Sequence, residues 1–443
     1  MDATVQTESD PLVDRKYLRS ATRGQKPKRK WWKNIKQRLR SETKVQYKGF
    51  QRERKDVQQN MPPQSAHKIE ESAPIMKVKT CEPDSSLIPT IGVTMWLGPH
   101  GFLALVLIDF MIFATTAKRI LFVVFFALAL AQPRDKRVRN LKNNVLEATI
   151  YVVIVASIYL RAITVFIMAV SIAVPYDFLG EYGIKIGDWI CKQSEKYFAL
   201  KTTLEDEDAI AAVSKQRKAA IFALEPHDIF GYGCFAFGPS LKRLPPGRVR
   251  DTMRCLVSSA LMNAPIVRNI LAWCVCSPVE KTYFRSYLET GVSFVFVPGG
   301  VQEVMLMDPS EPSELVLYLK KRKGFVKMAL EYGCPIFPVF CFGLDGSYAY
   351  YIPRGDLITK IFRAIGFVPL LFFGRFLIPF GIPRPHQIHV VVGKPIHCPQ
   401  LGEHVTSEDI DKYHSIFLTE LESLFDRHKL AEEDYRDRKL KIM

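Results

Sequence analysis

A chain of 443 residues exceeds what one small core requires and allows one catalytic domain of roughly 250 residues with further segments around it. The net charge of +16 invites a nucleic-acid reading, yet seventeen Lys or Arg against two acids between Arg15 and Lys55 carry +15 of it, so the near-neutral body argues against a nucleic-acid partner. Nine cysteines occur without a CxxC pair, which supports neither a disulfide framework nor a metal site and points to a reducing, cytosolic environment.

Residues 1–86 are polar, without helical or strand periodicity, and read as a basic, largely disordered cytosolic tail. Within it, Lys30-Trp31-Trp32-Lys33 sets indoles beside lysines, a pattern suited to anionic lipid headgroups. No cleavable signal peptide is visible, because the first apolar run begins after residue 86. Residues 87–175 read as a membrane-embedded helical segment. Its stretch 101–131 is apolar apart from Asp109, Lys118 and Arg119, and 148–174 carries only Arg161 as a charge. Both exceed the about 20 residues that span a bilayer. The basic loop 134–142 conflicts with a simple two-span hairpin, so re-entrant or interfacial helices stand as the alternative.

From 176 to 430, short apolar runs punctuated by Gly and Pro alternate with helical stretches, the grammar of an α/β catalytic domain. Strands are expected at 219–224, 293–297, 335–342 and 388–392. Thr406 and Ser407 are cap candidates for a final amphipathic helix with Ile410, Tyr413, Phe417, Leu421, Leu424 and Phe425 on one face. Residues 431–443 read as a charged tail, with Lys439 and Lys441 spaced as in dilysine retrieval signals.

The densest chemistry follows the first of these strands. Glu225-Pro226-His227-Asp228 sets a histidine between two carboxylates on a Pro-fixed turn, and Gly231 and Gly233 then let the backbone approach a ligand. A histidine at a strand end is most often a satisfied structural group. An adjacent carboxylate, however, can orient an imidazole and raise its basicity, as acyl transfer to a hydroxyl requires. Downstream, Pro298-Gly299-Gly300 ends a second buried strand, with Glu303 three residues on. Lys321-Arg322-Lys323-Gly324-Phe325, with Lys327, then puts a basic cluster at a helix start, where N–H groups and the dipole attract anions such as the phosphates of CoA. Pro99-His100-Gly101 reads as packing at the mouth of the first apolar stretch. His386, His389 and His397 are too loosely spaced for a metal and read as structural.

Together these segments, over residues 90–430, resemble the type-2 diacylglycerol acyltransferase family, whose catalytic turn usually reads His-Pro-His-Gly, with a variant beginning Glu-Pro-His in plant and algal members. Gly299-Gly300-Val301-Gln302-Glu303 looks like the family's Gly-Gly-x-x-Glu. Arg322-Lys323-Gly324-Phe325 leading to Gly333 and Phe337-Pro338-Val339 looks like its Arg-x-Gly-Phe run, and Tyr413-His414 with Leu424-Phe425-Asp426-Arg427-His428-Lys429 like its terminal motif. The chain departs from the pattern at Glu225, which replaces a histidine, at Asp228, which replaces glycine or a small residue, and at Phe342-Gly343-Leu344-Asp345, where the family has Phe-Gly-Glu.

The resemblance implies a glycerolipid-acyltransferase-like α/β fold, a mixed sheet flanked by helices, with N-terminal membrane-embedded helices. It implies acyl transfer from acyl-CoA to diacylglycerol with His227 as general base and Glu303 or Asp228 holding its tautomer. Backbone N–H groups of Pro298-Gly299-Gly300 would form the oxyanion site, and Arg322, Lys323, Gly324, Phe325 and Lys327 the acyl-CoA contact. Acyl-CoA is then a substrate, and no cofactor is implied. Related enzymes that acylate phosphate-bearing glycerolipids place an arginine where this turn reads Gly300-Val301-Gln302, so its loss suits a neutral acceptor. The alternatives are a monoacylglycerol or long-chain alcohol acceptor, or a catalytically inactive lipid-binding scaffold. The expected location is the endoplasmic reticulum membrane with the catalytic domain facing the cytosol, and lipid droplets as a second residence. Membrane lipids are the expected partners, and the chain could self-associate as a homo-oligomer.

Overall fold

The computed structural model describes residues 82–113, 163–176, 178–307, 313–352 and 370–443, with the side chains of 101–113 excepted. Nearly all of the basic tail 1–86, and most of the apolar stretches 101–131 and 148–174, lie outside the described residues.

Apolar runs that can be buried on both faces build the centre of a seven-stranded mixed sheet of order β1-β10-β7-β2-β5-β3-β4. The strands in chain order are β1 (Lys201–Leu204), β2 (Ile221–Glu225), β3 (Arg254–Val257), β4 (Cys276–Pro278), β5 (Phe294–Phe296), β6 (Glu314–Leu317), β7 (Ile336–Phe342), β8 (Ala349–Tyr351), β9 (Leu371–Phe373), β10 (His389–Val392) and β11 (Lys439–Ile442). Within the large sheet all neighbours are parallel except β7 and β10. The four expected strands are β2, β5, β7 and β10, with ends shifted by a residue or two.

Strand alternation sorts the core into two layers. Phe222, Leu224, Val339 and Cys341 face one layer with Phe198, Tyr232 and Phe235. Ile221, Ala223, Phe340 and Phe342 face the other with Phe325, Phe417 and Leu421. The final helix, Ser407–Lys429, is capped by Thr406, whose hydroxyl accepts from Asp409 N while Asp409 accepts from Thr406 N. Ser407 is its first residue rather than its cap. Phe417, Leu421, Leu424 and Phe425 are fully buried, each stabilising the docking by about 2 kcal/mol.

Two segments depart from expectation. Helix α1 (Leu87–Phe113) opens the presumed membrane segment, yet Val93 and Leu97 are buried beside Phe198 and Tyr232 of the catalytic core. Gly92 makes this possible, since a Cβ there would lie 2.3 Å from the Gln193 Cβ of helix α2 (Gly180–Tyr197). Among the described residues no helix is long and apolar enough to cross a membrane. Residues 431–443, expected as a tail, carry the buried Tyr435 and strand β11, which pairs in parallel with β6. Lys439 and Lys441 therefore sit within a strand, with Lys441 ion-paired to Glu314.

Candidate active site

Two parallel strands assemble the site. β2 and β5 lie side by side, Ile221 against Phe294 and Ala223 against Phe296, so the turns that follow them leave the sheet at the same edge. The first turn holds a cis Glu225–Pro226 bond and His227; the second is Pro298-Gly299-Gly300, leading into the short helix α3 (Val301–Val304) that carries Glu303.

A pair of buried carboxyl groups ties the turns together. Glu225 accepts a hydrogen bond from Gly299 N at 2.7 Å. Glu303 accepts from His227 N at 2.9 Å through one oxygen and from Tyr318 N at 2.8 Å through the other. The two carboxyls lie close enough for the Glu303 charge to act on Glu225, whose Oε2 is buried with no hydrogen-bond partner among the described residues. Burial, reinforced by the Glu303 charge, raises the Glu225 pKa well above its ordinary value and keeps this carboxyl protonated. Neither carboxylate touches the imidazole. Both are buttresses of the backbone, and Glu225 stands in the position of the family's first histidine in that capacity.

His227 takes its orientation from the main chain. Its Nδ1 lies 2.8 Å from the carbonyl oxygen of Asp228, an acceptor only, so Nδ1 carries the proton and Nε2 is left with its lone pair. The expectation that the Glu303 or Asp228 carboxylate holds the tautomer is thus corrected. Burial lowers the His227 pKa. A Cβ built on Gly231 would lie 3.9 Å from Nε2 and 3.0 Å from Val297, so glycine at 231 keeps this edge of the ring clear.

Asp228 adopts φ +48°, the left-handed region that glycine favours and that aspartate tolerates better than most residues. The same backbone that suits the family's glycine therefore admits Asp228. Among the described residues its buried Oδ2 has no partner, and Tyr232 and Tyr348, whose buried hydroxyls likewise have none there, lie close enough to feel its charge. Burial, with a smaller contribution from the Asp345 charge, pushes the Asp228 pKa from 3.8 up to about 7. A raised folded-state pKa gives stability that is present in acid and lost as pH rises through about 7. Asp228→Asn removes that loss, and is expected to be more stable than the parent at pH 8 by up to about 4 kcal/mol. Thermal unfolding from pH 5 to 8 should show a Tm gap that opens with pH; parallel curves would contradict the burial of an unpaired carboxyl.

The basic segment meets the second turn directly. Tyr318 N reaches Glu303, and Arg322 Nη2 donates to Gly299 O at 3.2 Å while its guanidinium lies over the Tyr318 ring. The segment is held from behind by His414, whose Nε2 lies 3.0 Å from Leu319 O, and by Leu319 N and Lys320 N, which donate to Met443 O. All the motifs thus converge, but their roles shift. Phe325 is core, packed on Phe296 and Phe417, and not a ligand contact. Lys323 pairs with Asp411 and Lys327 with Glu331. Lys320 and Lys321, exposed beside them just before helix α4 (Gly324–Tyr332), are further candidates for CoA phosphates, and Lys320 carried no signal of its own in the sequence. The expected oxyanion set also shrinks: Pro298 has no N–H and that of Gly299 is held by Glu225, leaving Gly300.

Beyond Gly231 lies a mostly apolar cavity lined by Cys234, Cys255, Leu271, Cys276 and Val295. These cysteines are free thiols. His389 is structural as expected, bridging Thr203 at 2.8 Å and Glu432 at 2.7 Å, and His386 lies against Arg384 O and the Ser347 hydroxyl. Among the described residues no group of His, Cys, Asp and Glu is placed to hold a metal.

Comparison with known proteins adds independent weight. A family model described as "Diacylglycerol acyltransferase" matches residues 150–443. Diacylglycerol O-acyltransferase 2 of Dictyostelium discoideum is 34% identical over 237 residues, covering 51% of this chain and 71% of that protein. The human protein of the same name is 34% identical over 225 residues, covering 47% of this chain and 56% of its own length. Diacylglycerol O-acyltransferase 1 of Eremothecium gossypii is 32% identical over 238 residues, half of either chain. The solved 1-acyl-sn-glycerophosphate acyltransferase of Thermotoga maritima, at 13% identity and a TM-score of 0.32 over 64% of this chain and 95% of its own, is too distant to bear on fold or function. With the matched region containing the His227 turn, the Gly-Gly turn, the basic segment and the terminal helix, this chain belongs to the diacylglycerol acyltransferase family.

Proposed function

We propose that the chain transfers a fatty acyl group from acyl-CoA to the free hydroxyl of diacylglycerol, with His227 as general base. The observation that carries this reading is the bond from His227 Nδ1–H to the Asp228 carbonyl, which leaves Nε2 unprotonated beside Gly231 and the apolar cavity. His227 Nε2 takes the hydroxyl proton as the oxygen attacks the thioester carbonyl. Collapse of the tetrahedral intermediate breaks the C–S bond, and the imidazolium returns its proton to the CoA thiolate, giving triacylglycerol and CoA. Gly300 N–H is the donor that the turn retains for the oxyanion, Lys320 and Lys321 suit the CoA phosphates, and the cavity suits the acyl chain near its thioester.

An arginine does reach the Gly-Gly turn, but Arg322 is committed to Gly299 O and the Tyr318 ring, and Gln302 is exposed where an arginine would read a phosphate. This favours a neutral acceptor. The basic tail 1–86 supplies attraction to anionic headgroups, in keeping with residence at the endoplasmic reticulum membrane and lipid droplets. Measuring acyl-CoA consumption with diacylglycerol, monoacylglycerol and a long-chain alcohol in turn tests the reading. Diacylglycerol is expected to give the highest rate; preference for another acceptor would reassign the substrate, and no consumption with any would leave a lipid-binding scaffold.

A further inference from the structure

Among the described residues, the connection between β9 and β10 carries the most exposed run of large apolar residues outside the N-terminal segment. Phe376, Leu377 and Ile378 are 78%, 70% and 52% exposed. This tip is built rather than frayed. Gly374 N donates to Ile378 O, Arg375 N to Ile382 O and Phe380 N to Phe372 O. Phe376 and Leu377 adopt φ of +58° and +56°, a left-handed backbone that is costly for bulky side chains and here aims them outward. Strain held at a surface where it gains no burial points to a surrounding that water does not supply.

The position identifies that surrounding. Arg375, at the base of the tip, donates through Nη1 to Ser85 O at 3.5 Å and lies 4.9 Å over the Phe376 ring. The start of α1, where Leu87, Ile88 and Ile91 are also exposed, therefore adjoins the tip through Arg375, a cation suited to lipid headgroups. Aromatic contacts lead inward from it, from Phe380 to Phe372 at 5.1 Å and from Phe372 to Phe230 of the catalytic turn at 5.3 Å.

We propose that Phe376-Leu377-Ile378 is a lipid-contacting element that dips into the bilayer beside α1 and sets the His227 turn against the membrane surface. The inference rests on the reading of a membrane-resident acceptor for its purpose, but not for its test. The full-length chain carrying Phe376→Trp, in phosphatidylcholine vesicles with dibrominated acyl chains, should show its added indole emission reduced at least twofold by the bromines and several-fold less open to aqueous acrylamide than in detergent-free buffer with a water-soluble lipid analogue. An indole open to acrylamide and untouched by bromine overturns the proposal, as does one shielded from both, which would mean a protein partner covers the tip. Phe376→Ser/Leu377→Ser/Ile378→Ser should raise the apparent KM for vesicle-borne diacylglycerol at least threefold with the KM for acyl-CoA unchanged; an unchanged acceptor KM contradicts the docking role. Insertion of the tip by a chain that acylates no lipid would uphold this element and remove the enzymatic reading instead.

Discussion

His227→Ala is expected to lower triacylglycerol synthesis by about 10²–10⁴-fold, the usual contribution of a positioned general base. The loss should fall on turnover rather than on folding. The residue is half-buried, and its side-chain hydrogen bond is to the adjacent Asp228 carbonyl. The turn itself is pinned through His227 N to Glu303, a bond that alanine retains. Initial rates in purified membranes with matched enzyme, alongside the KM for acyl-CoA, check this. A near-normal rate would remove His227 from the chemistry, and a collapsed Tm would make it a structural residue.

Glu303→Gln and Glu225→Gln are the same chemical change in two neighbouring buried carboxyls and should have opposite outcomes. Glu303 accepts from two main-chain N–H groups, His227 N and Tyr318 N, one on each oxygen. The amide introduced by Glu303→Gln would turn an NH₂ toward one of them and leave it unpaired, costing about 1–3 kcal/mol and loosening the turn that positions the base. Activity should fall at least tenfold. Glu225 is held protonated by burial and the Glu303 charge, and one of its oxygens accepts from Gly299 N. The neutral amide introduced by Glu225→Gln keeps an acceptor for Gly299 N and, like the protonated carboxyl, carries no charge, so stability within about 1 kcal/mol of the parent and near-parental turnover are expected. Thermal unfolding and initial rates on the two variants check the asymmetry; equal damage from both would place the proton elsewhere.

Much of this was legible from the amino-acid sequence, for identifiable reasons. β2, β5 and β7 are apolar runs bounded by Gly and Pro, and the last helix announces itself through Thr406 and its apolar period. What stayed hidden depends on partners distant in sequence. Glu303 and His227 are 76 residues apart, and only the β2–β5 register shows that their bond runs to the backbone rather than the imidazole. Gly299 N–H looked available until Glu225 was seen to hold it. Phe325 sat within a ligand-like basic run, yet helix geometry turns it toward Phe417. β1, β3, β4, β6 and β11 have three or four residues each, too few to show a period, and the role of 431–443 depends on pairing with β6. The burial of Val93 and Leu97 against the core was masked by the uniform apolarity of their segment.

The pH dependence of kcat/KM tests the proton-transfer role of His227 most directly. The base is competent when neutral, and burial lowers its pKa below the ordinary 6.5, so the rate should be level through neutrality and fall in acid as one ionisation with a midpoint below 6.5. Asp228→Asn, which removes the other group of the turn that titrates near neutrality, should keep this limb, and the residual activity of His227→Ala should lack it. The same acid limb persisting in His227→Ala, or a midpoint above 6.5 in the parent, would contradict the assignment of His227 as the base.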